Sequence, residues 1–130
     1  DHVDVATTLM NIANVLQAQG KFAEALAKHQ ESLEIKLKAL GHDHVDVAKT
    51  YNNMGNVLQK QGDYKKALEY HQKDLGIKLK VLGHDHVDVA TTLMNIANVL
   101  QAQGKFAEAL AKHQESLEIK LKALGHDHVD

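Results

Sequence analysis

Cysteine, proline, tryptophan and arginine are all missing from the 130 residues, and aromatics are limited to three tyrosines and two phenylalanines. Without cysteine there is no disulfide framework and no thiolate metal site. All 15 basic residues are lysine, and the formal net charge is −2. Nucleic-acid binders cluster Lys and Arg and stack bases on exposed aromatics, so this composition argues against a nucleic-acid partner. No apolar run approaches the ~20 residues that span a bilayer, and no signal-peptide pattern opens the chain. The expectation is a cytoplasmic protein without a membrane partner. No Gly-rich phosphate loop, nucleophile elbow or isolated Ser–His–Asp set is present, so neither an enzyme nor a cofactor is expected. What is there, 44% hydrophobic and 25% charged residues, is a globular composition.

Self-similarity dominates that composition. Residues 1–42 and 85–126 are identical, residues 43–84 match them at 26 of 42 positions, and residues 127–130 open a fourth copy. A fixed period of this size marks a repeat architecture. Identity between the first and third copies points to recent duplication or deliberate construction. With no initiator Met, the chain reads as a fragment of a longer array.

Within one copy, Val5, Ala6, Leu9, Ile12, Ala13 and Leu16 follow the spacing of one helix face. Asp4 is the expected N-cap, and Gly20 the expected stop. A second run, Phe22, Ala25, Leu26, His29, Leu33, Leu37 and Leu40, ends at Gly41. Ile35 falls off that face and is expected to serve a neighbouring repeat. Two helices joined by a tight glycine turn make an antiparallel pair. One pair cannot bury its apolar surface alone, so consecutive pairs stack. The fold class expected is an all-α, right-handed solenoid of stacked antiparallel helix pairs forming one domain.

The middle copy carries Tyr51, Met54-Gly55, Leu58, the turn Gln61-Gly62-Asp63-Tyr64, and Ala67 with His71 four residues on. In that order the residues resemble the tetratricopeptide repeat, whose pattern sets a Leu-Gly pair between large residues and places an Ala ahead of an aromatic. Ala13 and Ala97 replace the glycine in the outer copies. The period is 42 residues against 34, and the added length lies in Lys36–His44. This is similar to the longer repeats of kinesin light chains, whose linkers carry Leu-Gly and Asp-His-Pro. Leu40-Gly41 and Asp43-His44 match that linker, with Val45 in place of the proline. The resemblance implies a non-catalytic scaffold that holds extended peptide segments in a concave groove lined by the first helix of each pair.

Groove candidates are the first-helix residues not needed for packing. In copy one these are Thr7, Met10, Asn11, Asn14, Gln17 and Ala18; in copy two, Lys49, Asn52, Asn53, Asn56, Gln59 and Lys60; in copy three, Thr91, Met94, Asn95, Asn98, Gln101 and Ala102. Asparagine offers a donor and acceptors, so a ladder of them either reads a peptide backbone or bridges adjacent helices. Lys49 and Lys60 favour acidic peptides.

Ten histidines are the other excess. In the linkers, His42, Asp43 and His44, with His84, Asp85 and His86, are read as loop and cap residues or as adventitious metal ligands, with no physiological metal site expected. His29, His71 and His113 fall on the buried face, where a satisfied core histidine is expected. Asp74, one turn after His71, is placed to raise its proton affinity. Asp74 and Gly76 together mark the second helix of copy two as the soft element. The alternative to a peptide-binding module is a structural spacer or self-assembling array. Without a polar capping helix, Leu110, Leu117, Ile119 and Leu121 lack a neighbour, and head-to-tail self-association is expected.

Overall fold

The computed structural model describes residues 2–125, which form six α-helices: α1 (His2–Ala18), α2 (Phe22–Leu40), α3 (Val45–Lys60), α4 (Tyr64–Leu82), α5 (Val87–Ala102) and α6 (Phe106–Ala123). The fourth-copy residues 127–130 lie outside the described part. Consecutive helices pair as α1 with α2, α3 with α4 and α5 with α6, and each pair packs on the next through α2–α3 and α4–α5. The described residues are therefore an all-α stack. None of these helices is long and apolar enough to cross a membrane.

Each turn is closed by a glycine in the left-handed region, Gly20, Gly62 and Gly104 within pairs and Gly41 and Gly83 between them. Helix entry departs from the sequence reading. Asp4 lies inside α1, in its first turn, because the helix already starts at His2. In the later copies the N-cap is a histidine. His44 Nδ1 accepts from the Asp46 N–H and His86 Nδ1 from the Asp88 N–H, both at 3.0 Å. An imidazole nitrogen replaces the expected carboxylate, and the aspartates sit in the first turn, where negative charge favours the helix dipole.

The core runs through both kinds of contact. Val47 is buried with Leu33 of the preceding pair, and Ala48 with Ile77 of its own. Ile119 packs on Val89, Ala90 and Leu93 of its own pair. Ile77 shares its buried cluster with Leu33 of the preceding pair as well as with Ala48 of its own, and Ile35 is half-buried.

Polar groups bridge the helices within pairs as well as the junctions between them. Ser32 Oγ donates to the Ala6 carbonyl at 2.9 Å, and Ser116 Oγ to the Ala90 carbonyl at 2.9 Å. Lys36 is buried, donating to Met10 Sδ of its own pair at 2.7 Å and to Thr50 Oγ1 of the next pair at 3.0 Å. Met10 is consequently a buried packing residue, not a groove residue. Burial holds the Lys36 amine below the ordinary lysine range; Asp46 opposes this and Lys49 adds to it. At the second junction Lys78 donates to Thr92 Oγ1 at 2.9 Å and lies 3.2 Å from Asp74 Oδ1. Asp74 also accepts from Thr92 at 2.9 Å. The buried carboxylate is therefore paired.

That pairing settles His71 as well. Asp74 is turned to Lys78 and Thr92, and neither ring nitrogen of His71 or His29 has a hydrogen-bond partner among the described residues. The two rings are fully buried without being satisfied. Desolvation by burial, with Lys36 beside His29 and Lys78 beside His71, lowers both pKa values to about 4. The expected rise at His71 is thus reversed. His113 is half-buried, because no following pair covers it among the described residues.

Candidate functional site

The first helices carry short polar side chains at a spacing that keeps them off the core stripe, and the turns at Gly20 and Gly62 bring the next helix start beside them. Asn14, Gln17, Ala18, Gly20, Phe22 and Lys60 line one cleft of about 510 Å³. Gln17, Asn56, Gln59, Lys60 and Tyr64 line a second of about 400 Å³. Gln17 and Lys60 belong to both, so the two form one surface across the first and second pairs. Its chemistry is four side-chain amides, one exposed ammonium and two aromatic edges. Such a set can donate to and accept from an extended backbone, and it places a single positive charge where an acidic side chain or terminus would lie.

The remaining candidates divide. Asn95 Nδ2 donates to Asn52 Oδ1 at 2.9 Å, a bridge between α3 and α5 that uses both amides. Asn53 is half-buried, while Lys49 and Asn98 are exposed but line neither cleft. Asn11 sits elsewhere, in an apolar depression of about 320 Å³ with Thr8, Ile12, Val15 and Leu16. Phe22 and Tyr64 were not anticipated as groove residues. Their signal was positional: each opens the helix that follows a glycine turn, which folds it back beside the preceding helix.

The linker residues form a separate, exposed charge network. Lys80 Nζ donates to Asp43 at 2.7 Å and Lys122 Nζ to Asp85 at 2.8 Å, the same contact in two copies. His84 lies between Glu115 at 2.9 Å from Nε2 and Asp85 at 3.1 Å from Nδ1. Hydrogen bonds to Glu115 and then to Asp85 raise its pKa above the usual histidine value. His42 is exposed. Among the described residues no three His, Asp or Glu side chains are grouped to hold a metal ion.

The tetratricopeptide repeat model matches residues 4–79 and again 46–122. Solved structures with the same fold include BtubC (BKLC) from P. vanneervenii, at 27% identity and a TM-score of 0.86 over 97% of this chain and 50% of that one. A Podosopora anserina putative kinesin light chain with nearly identical TPR-like repeats matches at 22% identity and a TM-score of 0.79, over 91% of this chain and 56% of that one. The TPR domain of Arabidopsis FLU matches at 16% identity and a TM-score of 0.80, over 95% of this chain and 99% of that domain. The chain thus spans about half the length of the first two. A comparison with curated proteins returns no match.

Proposed function

The chain belongs to the tetratricopeptide repeat family, and from that premise we propose that it is a non-catalytic interaction scaffold holding an extended, acidic peptide segment along its first helices. One observation carries this reading. The two clefts meet at Lys60, and amides from two successive repeats, Asn14, Gln17, Asn56 and Gln59, surround it. A peptide backbone laid across them finds donors and acceptors at repeat spacing, while the ammonium selects for negative charge. Lys49, near the start of α3, lines neither cleft but adds a second exposed positive charge to the same helix.

Titration calorimetry with an extended acidic peptide and its neutral amide counterpart tests the proposal. The acidic peptide is expected to bind more tightly, and Lys60→Glu to weaken it by about tenfold, as loss of one charge-assisted hydrogen bond of roughly 1.5 kcal/mol requires. Raising the salt concentration should narrow the gap between the two peptides. Equal binding of both peptides, unchanged by Lys60→Glu, would refute the groove.

A further inference from the structure

The outer face of α4 breaks a pattern that its two flanking second helices share. Glu24, Glu31 and Glu34 on α2 recur as Glu108, Glu115 and Glu118 on α6, but the same positions of α4 carry Lys66, Lys73 and Gly76. All three are exposed. Copy one closes its face with an ion pair, Lys28 Nζ standing 3.3 Å from Glu31. In copy two that pair is replaced by Tyr70 and Lys73. Tyr70 stacks on Tyr51 of α3 with ring centroids 6.0 Å apart, and the Lys73 ammonium stands 5.1 and 5.4 Å from the Tyr70 and Tyr51 centroids. The two ring faces hold the cation in place, and among the described residues no carboxylate pairs with it.

The linker before α4 lacks the same carboxylate. Asp43 accepts from Lys80 as Asp85 accepts from Lys122, so both linkers rest alike on the second helix that follows them. In the second linker His84 Nε2 lies 2.9 Å from Glu115. Its counterpart His42 therefore comes to rest beside Lys73, the residue in the place of Glu115. The His42 ring is exposed and has no hydrogen-bond partner among the described residues. Copy three supplies its own glutamate to the histidine. Copy two offers a histidine and a fixed ammonium to a carboxylate that it does not itself provide.

We infer that the outer face of α4, with His42, is a docking surface for an acidic segment of a partner protein. One glutamate or aspartate of that segment sits between His42 and Lys73, as Glu115 sits against His84. Lys66 is two helical turns from Lys73, about 10 Å along the axis, which an extended chain covers in roughly three residues. The segment therefore carries its acidic residues at that spacing. Gly76 stands where the flanking helices have a third glutamate, so the incoming chain meets no like charge there. Glu69, exposed on the helix between Lys66 and Lys73, tells against a nucleic acid. A continuous run of phosphates would be repelled by it, whereas a peptide can set a neutral residue opposite. The surface shares no residue with the two clefts and stands independently of the groove.

A peptide with glutamate at every third position, and its glutamine counterpart, test this by nuclear magnetic resonance titration of the Lys60→Glu chain, in which the cation of the groove is reversed. The glutamate peptide is expected to shift the ring signals of His42, Tyr51 and Tyr70 saturably, and the glutamine peptide to leave them in place. Lys73→Glu, added to that background, restores the residue of the flanking copies, so the fold is kept. His42 then gains an internal carboxylate, and affinity for the glutamate peptide should fall by about tenfold or more. If Lys73 served only to cover the two rings, this change would move the tyrosine signals and leave the affinity as it was, which overturns the proposal. Equal responses to the two peptides, or shifts confined to the first helices, overturn it as well. So do His42 shifts that grow with chain concentration in the absence of peptide, since the occupant would then be a second copy.

Discussion

His29 and His71 combine complete burial with ring nitrogens that meet no partner among the described residues. Their pKa values, about 4 against an ordinary 6.5, mean that the unfolded chain takes up protons first as the pH falls. The stability that depends on these two histidines being neutral is therefore full above about pH 6.5 and declines toward pH 4. Between pH 7 and pH 5 each histidine is expected to cost about 2 kcal/mol. Urea denaturation at the two pH values checks this: His29→Leu should lose less stability on acidification than the wild type, and an equal loss in both would contradict it. Helical spacing alone placed both histidines on the buried face. Their lack of partners was not legible, because spacing reports which way a side chain points and says nothing of what stands opposite. Lys36 was missed for the same reason. A lysine is ordinarily solvated, and only the positions of Met10 in its own pair and Thr50 across the junction show why this one is buried.

At the scale of the helix, both members of each pair and their glycine turns were readable, because amphipathic periodicity and left-handed glycine act within the segment itself. The caps were less so. Whether an aspartate or the histidine two residues earlier starts the helix depends on where the linker comes to rest, a property of neighbouring repeats. Copy two's second helix illustrates the same division. Asp74 has its partners, but Gly76 stands exposed in mid-helix with nothing within 4 Å of where a Cβ would be. Gly76→Ala is accordingly expected to stabilise the chain by about 1 kcal/mol. Thermal unfolding followed by circular dichroism should show a higher midpoint for the variant; a lower one would mean that the glycine serves a backbone geometry that the helix does not display.

For the molecule as a whole, the repeat period and the resemblance carried the fold class, since three phased copies leave few other ways to bury the apolar stripes. The groove was legible only in outline. Asn14, Asn56 and Lys60 line the joined clefts as first-helix residues, while Asn52 and Asn95 are occupied with each other and Asn11 faces the α1 end. Equivalent positions diverge because outer and inner repeats have different neighbours, which no single-repeat reading contains. In the proposed function this joined surface receives an extended acidic peptide. The most direct test is an amide-resolved nuclear magnetic resonance titration with such a peptide. Saturable shifts concentrated on the side-chain amides of Asn14, Gln17, Asn56 and Gln59 are expected. Shifts confined to the second helices or to the linker charges, or no shifts at all, would contradict it.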